Sequence, residues 1–353
     1  MADRHPGQWP IPLEDDPVGQ KHKGGQGMRV LVLGGTTFIG RRIVEQLHER
    51  GDQVLVVHRG QHEPDPWVPV GHLHTHRHQL SRHAEKIRDF APTAVVDAYA
   101  LTGTDVTAVL GVVPEVPTVV LSSQDVYQAY TGLRTGRCTA AVPLEEHAPL
   151  RADRYPYRGT GGPPGIPEDY EKLDVEQAWS GRGAVVLRLP MVYGPHDAQQ
   201  REEVVLRRIR AGRTRMPIGA GNLLWSRAHV EDIATAVLTA LHTPAAAGLT
   251  LNLGEPTTVP ICQWFQQIIE ATGANLELVQ VPEPVLPAEL ALTGAPAQHM
   301  LASTHRAQEV LGWSPGNPQT RVTQSVRWHL AHAPATEWTQ DDARTDNAAL
   351  NAA

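Results

Sequence analysis

A glycine-rich stretch near the start of the chain combines residue types and a spacing that can bind phosphate. An apolar run over residues 28–33 indicates a buried strand, Gly34 begins a tight turn, and Gly40 opens an amphipathic helix. A strand that turns through glycines into a helix leaves main-chain N–H groups and the positive end of the helix dipole facing a gap. We expect this gap to bind the pyrophosphate of a dinucleotide.

The elements that must position this turn form a β-α-β unit. Gly51 stops the first helix, and residues 54–57 form a second predicted strand. Strand-like and helix-like segments then alternate, so we predict an α/β fold with a Rossmann-type doubly wound parallel sheet and a smaller C-terminal substrate lobe. The further predicted elements are a strand over 72–77, a helix over 83–90, and strands over 94–98, 118–123, 184–189 and 249–253.

The same pattern divides the chain into a dinucleotide-binding Rossmann domain, a substrate-binding lobe and two tails. The tails are polar and carry no apolar run, so we predict that both are disordered. A Pro-, Gly- and Arg-rich segment over residues 134–167 is long for a loop, which predicts a functional flap. The boundaries are 28–192 with 228–254 for the Rossmann domain, 193–227 with 255–330 for the lobe, and 1–27 and 334–353 for the tails.

Composition bounds the partners and the compartment. The 353 residues carry a formal net charge of −7, which argues against a nucleic-acid binder. No stretch approaches the roughly 20 apolar residues of a membrane helix, so no membrane partner is expected. Cys138 and Cys262 lie far apart and lack metal-ligand spacing. Together with the absence of a secretory signal, they predict a reducing, cytoplasmic location.

An alternating run of histidines is a candidate metal site. His72, His74, His76 and His78 would point to one face of a strand. Adjacent positions on one face are about 7 Å apart, which is awkward for a compact tetrahedral site, and no cysteine lies nearby. We therefore predict no metal.

Six motifs, in this order along the chain, resemble those of the extended short-chain dehydrogenase/reductase superfamily, the group of sugar-nucleotide epimerases and dehydratases. The resemblance covers most of residues 28–330. It implies an NAD(P)-dependent oxidoreductase of the epimerase/dehydratase type that acts on a carbonyl or secondary alcohol of a small molecule, with a nucleotide sugar as the usual substrate. The motifs are Gly34-Gly-Thr-Thr-Phe-Ile-Gly40, Leu121-Ser-Ser-Gln-Asp-Val-Tyr127, Lys172-Leu-Asp-Val-Glu176, Leu187-Arg-Leu-Pro-Met-Val-Tyr-Gly-Pro195, His229-Val-Glu-Asp232 and Leu311-Gly-Trp-Ser-Pro315.

The glycine-turn motif is also similar to a branch of the superfamily that includes chloroplast stem-loop RNA-binding proteins. The second hypothesis is therefore a dinucleotide-binding regulatory or binding protein that has lost turnover. Superfamily members often dimerise through two helices packed as a four-helix bundle. The resemblance thus implies a homodimer, formed here by the helix after Thr104 and the helix that carries Lys172.

The cofactor-binding residues follow from the resemblance and from the end of the second strand. Thr37 stands where the family has its middle glycine, which puts the affinity for the cofactor in doubt. The second strand ends at Arg59 without the carboxylate that would bind a ribose 2′-hydroxyl, and an arginine can pair with a 2′-phosphate. We expect NADP(H), with NAD(H) as the alternative. The expected set is Gly34, Thr36, Thr37, Phe38, Ile39, Gly40, Arg59, Ala98, Lys172 and Pro190.

The resemblance also implies a proton-transfer site with a Ser or Thr and a Tyr-x-x-x-Lys pair. Ser123 takes the first position and Lys172 the last, but Glu168 stands where the tyrosine belongs. Tyr170 is two residues from Lys172, about 200° around a regular helix. Three interpretations stay open: Glu168 is the acid/base, a flap tyrosine (Tyr155 or Tyr157) or a displaced Tyr170 fills the gap, or the site binds a nucleotide with little redox chemistry.

Further candidates come from the family positions around these motifs. Asp125 stands where 4,6-dehydratases carry a carboxylate, and it either moves a proton next to a transient ketone or caps the following helix. The corner after the sixth strand begins the substrate lobe. There the expected substrate-binding residues are Met191, Tyr193 and Arg227.

Overall fold

The structure, a computed structural model, describes residues 27–63, 67–159, 161–163, 165–335 and 337–353, so residues 1–26 of the predicted N-terminal tail lie outside it. Eleven strands are present in this part of the chain. They are β1 (Arg29–Leu33), β2 (Gln53–His58), β3 (Gly71–His74), β4 (Ala94–Asp97), β5 (Thr118–Ser123), β6 (Val185–Leu189), β7 (Met191–Tyr193), β8 (Arg215–Ile218), β9 (Arg227–His229), β10 (Thr250–Asn252) and β11 (Glu277–Gln280).

Seven of these strands form one parallel sheet in the order β10-β6-β5-β4-β1-β2-β3. The predicted Rossmann-type sheet is therefore confirmed, and most of its strands begin and end within a residue of the predicted bounds. The chain leaves β1 toward β2 on one side and returns to β4 on the other, so the strand order reverses between β1 and β4. Open α/β sheets bind ligands at such a switch point, outside the carboxyl ends of the strands.

The strand predicted over residues 72–77 is shorter in the structure. β3 ends at His74, and the His76 side chain accepts a hydrogen bond from the main-chain N–H of His78 at 3.3 Å. This local bond caps a 3-10 helix over Arg77–His83, which turns the chain away from the sheet edge.

Helices cover both faces of the sheet. Alternate residues of β1 separate two apolar layers. Val30 and Val32 pack toward the helices over Phe38–Glu49 and Val230–Leu241, and Leu31 and Leu33 pack toward those over Gly103–Leu110 and Lys172–Ser180. Each fully buried side chain of this kind contributes about 1.5–3 kcal/mol. The helices are α1 (Phe38–Glu49), α2 (Ala84–Phe90), α3 (Gly103–Leu110), α4 (Gln128–Thr135), α5 (Lys172–Ser180), α6 (Glu203–Arg210), α7 (Val230–Leu241), α8 (Ile261–Thr272), α9 (His305–Leu311), α10 (Pro318–Ala331) and α11 (Gln340–Leu350).

Within the described ranges, none of these helices has both the length and the apolar character needed to cross a bilayer.

A third apolar cluster lies in the C-terminal part of the chain. It joins α6, α8 and α10 to β8 and β11, which pair in parallel. Trp264 and Phe265 of α8 are buried in this cluster, on the side of the substrate pocket described below.

The prediction of a disordered tail over residues 334–353 is wrong, because α11 folds back onto the lobe. A capping box starts this helix, in which Thr339 and Asp342 exchange hydrogen bonds with each other's main chain. Asp346 then receives two hydrogen bonds from Arg208, at 2.8 and 2.7 Å. The Arg208 side chain is 0% exposed and that of Asp346 is 1% exposed. Composition alone did not reveal this buried pair.

Replacing Asp346 should therefore destabilise the fold. Asp346→Ala leaves a buried guanidinium with Glu289 as its remaining carboxylate partner, and we expect the free energy of unfolding to fall by about 3 kcal/mol. The matched control is Asp341→Ala on the same helix, whose side chain is 78% exposed and should matter by less than about 0.5 kcal/mol. Urea unfolding followed by circular dichroism measures both, and equal stabilities would contradict a docked α11.

Candidate active site

The turn from β1 into α1 depends on glycine at two points. Gly34 has a φ of +84°, and a Cβ added there would lie 2.5 Å from the Cβ of Tyr99. A Cβ on Gly40 would lie 2.2 Å from the carbonyl oxygen of Gly34. Any side chain at either position would force the turn open, so the turn and the start of α1 can be this close only with glycine.

The threonine that replaces the family's middle glycine points outward. Thr37 is exposed, has extended backbone and precedes the first residue of α1. Thr36 and Thr37 both line the pocket in front of the turn. Phe38 and Ile39, expected to bind cofactor, pack instead against the core between the sheet and α1.

The pocket at the carboxyl ends of β1, β2 and β4 has a volume of about 690 Å³. Arg59 lines it at the end of β2, where no carboxylate follows the strand. Two carboxylates, Asp105 and Asp169, also line the pocket, and Asp105 accepts hydrogen bonds from the N–H groups of Leu101 and Thr102 and pairs with His78. These bonds lower the pKa of Asp105, against the effect of its burial.

A buried carboxylate at the end of β4 fixes a second arginine in this pocket. Asp97 is fully buried and receives two hydrogen bonds from Arg77, at 3.2 and 2.8 Å, and one from Trp179 Nε1 at 3.1 Å. The Arg77 guanidinium thus lines the pocket in a fixed orientation. Ala98, expected to bind cofactor, follows Asp97 and donates its N–H to the Leu33 carbonyl at 3.0 Å.

The structure adds a histidine from a neighbouring strand to the alternating run. His58 of β2 lies opposite His74 of β3, and one nitrogen each of His58, His72 and His74 lie within 4.8 Å of one another. His58 Nε2 is 2.8 Å from His72 Nδ1, and His74 pairs with Glu63 at 2.8 Å. Burial and the neighbouring histidines lower the pKa of His58 to about 4. The expectation of no metal rests on spacing within one strand and stays a prediction, which metal analysis of untagged protein tests.

A second pocket, of about 410 Å³, lies at the end of β5. Ser123, Asp125 and Tyr170 line it together. Tyr170 Oη donates a 2.7 Å hydrogen bond to Asp125 Oδ2, and Ser123 Oγ accepts a 3.2 Å hydrogen bond from the Asp125 main-chain N–H. Burial raises the pKa of Asp125 and, together with the Asp125 charge, raises the pKa of Tyr170 well above 10.

Lys172 begins α5 beside this group, with its ammonium wholly inside the protein. Its Nζ donates to the carbonyl oxygens of Ala100 at 2.6 Å and Leu121 at 2.9 Å. Burial lowers the pKa of Lys172 to about 8, although the charges of Asp97 and Asp125 oppose the shift. The ammonium therefore links the carboxyl-end segments of β4 and β5 and stays charged at neutral pH.

The helical spacing argument for Glu168 is wrong, because α5 begins only at Lys172. Glu168 lies in an exposed turn before the helix and does not line either pocket. Tyr170 also precedes the helix, so the 200° offset does not apply to it, and its ring is buried in the second pocket. Of the flap tyrosines, Tyr157 lines this pocket, whereas Tyr155 is outside its lining.

Two of the expected substrate-binding residues are outside the pocket lining. Arg227 is 1% exposed, donates to the Val259 carbonyl at 2.6 Å and lies over the Trp264 ring. Tyr193 is fully buried and donates to Glu255 at 2.6 Å. Both stabilise the lobe interior and cannot reach a ligand there. Met191, expected to bind substrate, lines this pocket, and so does Pro190, which was expected to bind the cofactor.

Apart from Tyr157, the aromatic walls of the second pocket were not predicted from the sequence. Tyr130 and Tyr157 approach from α4 and the flap, and their hydroxyl oxygens are 3.0 Å apart. Trp225, Trp264 and Phe265 come from the lobe. Only the adjacent Trp-Phe pair of α8 offered a signal, because bulky aromatics in an otherwise apolar helix usually mark core positions.

The comparisons with known proteins agree with this architecture. The family model described as the NAD dependent epimerase/dehydratase family matches residues 30–110 and 173–254. A 3-diazoavenalumate denitrifying reductase from a Streptomyces species is 28% identical over 83% of this chain and 98% of its own length. A chloroplast stem-loop binding protein of 41 kDa from Arabidopsis thaliana is 23% identical over 81% of this chain and 75% of its own length.

Among solved structures, a UDP-glucose 4-epimerase from Stenotrophomonas maltophila, with bound NAD and formylated UDP-arabinopyranose, superposes with a TM-score of 0.66. It is 19% identical and covers 88% of this chain and all of its own. Ser123, Asp125, Tyr170 and Lys172 all lie between the two segments that match the family model. With its sheet, its glycine turn and these matches taken together, the chain is similar to the NAD dependent epimerase/dehydratase family.

Proposed function

We propose that the protein is an NAD(P)-dependent oxidoreductase that interconverts a carbonyl and a secondary alcohol of a small molecule, with Tyr170 as the proton-transfer group. The observation that carries this proposal is the 2.7 Å hydrogen bond from Tyr170 to Asp125, buried next to Ser123 at the end of β5. The similarity to a reductase over nearly the whole length of that relative supports the same reaction type.

The first pocket has the features that a nicotinamide dinucleotide requires. Gly34 and Gly40 allow the turn to expose its amides at the start of α1, and Arg59 and Arg77 supply positive charge at the carboxyl ends of the strands. Such a cofactor, when bound, supplies or accepts a hydride. The residues in place to hold it are Gly34, Thr36, Thr37, Arg59 and Tyr99.

The proton path runs through Tyr170. Its raised pKa keeps the phenol protonated at neutral pH, which suits proton donation to a carbonyl oxygen as that oxygen gains negative charge. When Asp125 is protonated, its O–H can donate to Tyr170 Oη and restore the phenol after transfer. When Asp125 is ionised, it accepts the Tyr170 proton instead and competes with the substrate.

Ser123 and Lys172 position the reacting groups. The Ser123 hydroxyl lies against both Tyr170 and Asp125, where it can hydrogen-bond the substrate oxygen. Lys172 holds two strand-end carbonyls and adds positive charge near Asp125. The family likeness assigns this lysine to the nicotinamide ribose, whereas in this structure its ammonium is bonded to these two carbonyls and lies outside the lining of both pockets.

We propose NADP(H) as the preferred cofactor, because Arg59 lines the pocket where NAD-specific sites carry a carboxylate. The UDP-glucose 4-epimerase neighbour was solved with NAD, so NAD(H) is the alternative. A homodimer through α3 and α5, which pack against each other here, stays a prediction.

Removing the phenol should remove most of the turnover. We expect Tyr170→Phe to lower the rate of hydride transfer by about 10²–10⁴-fold, because the substrate oxygen then lacks its proton donor. Deuteride transfer from labelled NADPH to a panel of carbonyl compounds, read by mass spectrometry, measures it. Glu168→Gln is the matched control and should retain full transfer, since Glu168 is exposed outside both pockets.

Three results would redirect the assignment. If Tyr157→Phe lowers the rate of hydride transfer more than Tyr170→Phe does, the flap tyrosine Tyr157 is the proton donor. If Glu168→Gln lowers the rate of hydride transfer, the conclusion that Glu168 lies outside the site is wrong. Tight NADPH binding without transfer to any carbonyl would favour the alternative of a dinucleotide-binding regulatory protein.

The pH dependence of the reduction should report Asp125. The groups that face it are Tyr170, Ser123, Arg151, Lys172, Tyr130 and Tyr157. Because burial raises the Asp125 pKa, the protonated carboxyl persists above the usual range, and kcat should fall as pH rises through that pKa. Asp125→Asn should lower kcat and abolish this decline, while the separate loss near pH 8 from Lys172 persists. An unchanged profile in Asp125→Asn would remove Asp125 from the path.

The cofactor preference should follow Arg59. Arg59→Asp replaces a phosphate partner by a repelling carboxylate, so we expect NADPH to bind at least about tenfold more weakly while NADH binding holds or improves. Arg82→Asp makes the same charge change at an exposed position outside the pocket and should leave both dissociation constants unchanged. Tighter NADH than NADPH binding by the unaltered protein would contradict the preference.

A further inference from the structure

We propose that the second pocket selects a phosphate-free compound with an aromatic ring and a hydrogen-bond donor, rather than a nucleotide sugar. The inference rests on the proposed function for the location of the reacting oxygen. It rests on the pocket's own walls for the class of compound. Three independent features of those walls carry it.

The first feature is the aromatic surface around the cavity. The Tyr157 and Tyr170 ring centroids are 5.2 Å apart on the catalytic side, and those of Tyr130 and Trp225 are 6.5 Å apart beside them. Trp264 and Phe265 form the opposite part of the lining. Rings at these separations offer edge and face contacts to a flat ring entering a cavity of about 410 Å³.

The second feature is that the positive charge of the lining already forms an ion pair with a carboxylate of the protein. Arg201 is the one cation among the lining side chains that the structure describes, and it pairs with Asp197 at 2.8 Å. A diphosphate needs cations or a helix N-terminus to replace its hydration, and bidentate arginine is the usual solution. Glu289, also in the lining, pairs with Arg207 and Arg208, so it leaves those two arginines engaged as well.

Arg134 lies outside the lining and is engaged by the tyrosines. Its guanidinium carbon is 6.0 Å from the centroids of both Tyr130 and Tyr157. This contact strengthens the aromatic wall, because a cation held over the outer side of the rings fixes their orientation.

The third feature is a set of three buried polar atoms of lining residues that find no hydrogen-bond partner within the described residues: Gln124 Oε1, Asp125 Oδ1 and Trp264 Nε1. Gln124 is 1% exposed, and its Nε2 donates to the Leu253 carbonyl at 2.8 Å, so its oxygen is left as an acceptor. Trp264 is 3% exposed and offers a donor. Both residues line the pocket, and a ligand that reaches these two buried atoms has to donate to Gln124 and accept from Trp264.

Calorimetry on the full chain saturated with NADP⁺ tests this proposal without turnover. The probes are 4-hydroxybenzaldehyde, benzaldehyde without the hydroxyl donor, cyclohexanecarbaldehyde without the aromatic ring, and UDP-glucose. We expect 4-hydroxybenzaldehyde to bind at least about tenfold more tightly than either aldehyde analogue, and UDP-glucose to bind more weakly still. UDP-glucose binding as tightly as 4-hydroxybenzaldehyde, or no preference for the ring, would overturn the proposal.

Two variants separate the aromatic wall from a general effect on folding. Trp225→Leu should weaken 4-hydroxybenzaldehyde by about tenfold and leave cyclohexanecarbaldehyde unchanged. Trp328→Leu removes a tryptophan that stacks on His332 outside the pocket and should change neither affinity. If Trp225→Leu does not fold, the comparison of probes on the unaltered protein still decides the proposal.

Failure of this inference and failure of the proposed function give different results. Deuteride transfer to aliphatic and aromatic aldehydes alike would sustain the oxidoreductase and defeat the ring preference. Selective binding of 4-hydroxybenzaldehyde with no deuteride transfer to any carbonyl would sustain the ligand class and defeat the oxidoreductase.

Discussion

The ion pair between Arg151 and Glu171 is the contact on which the catalytic geometry depends. Both side chains are 0% exposed, and Arg151 donates to the two carboxylate oxygens at 2.9 and 2.5 Å. Arg154 and the Tyr155 N–H donate to the same carboxylate, and these bonds lower the Glu171 pKa against the effect of its burial. Taking two charges out of water is costly, so the pair persists because its hydrogen bonds are so fully matched.

Glu171 stands between Tyr170 and Lys172, the two residues to which the proposed function gives proton transfer and positioning. It caps α5 by accepting from the Leu173 N–H at 3.0 Å, which makes Lys172 the first helical residue. Tyr170 is thereby left in non-helical backbone and turns toward Asp125, whose carbonyl receives a 2.9 Å hydrogen bond from Arg151. One buried carboxylate thus fixes the flap, the helix start and the tyrosine at once, which explains how a Tyr-x-Lys spacing supports a site usually built on Tyr-x-x-x-Lys.

Features that depend on local sequence pattern, such as the strands and the glycine turn, were predicted from the sequence. Features that depend on contacts between distant residues were not. The sheet strands were found because buried parallel strands are continuous apolar runs, and the turn at Gly34 was found because only glycine fits it. Tyr170 was misplaced because the helix start depends on Arg151, twenty residues earlier. The contact between His58 and His72 was not predicted, because the sequence of a single strand does not determine its register with the neighbouring strand. Helix α11 was predicted as a disordered tail because the sequence does not show that Asp346 forms a buried ion pair with the distant Arg208.

Residues of the flap and of the turn that follows it line both pockets. Gly165, Pro167 and Asp169 line the pocket with the glycine turn, whereas Tyr157 and Ile166 line the aromatic one. The ion pairs of Arg151 and Arg154 with Glu171 join the middle of the flap to the residue before α5. The first pocket supplies charge and main-chain amides, and the second supplies aromatic faces with few polar groups. That contrast suits a charged cofactor meeting an apolar substrate at the Tyr170 hydroxyl, where water would otherwise compete for the proton.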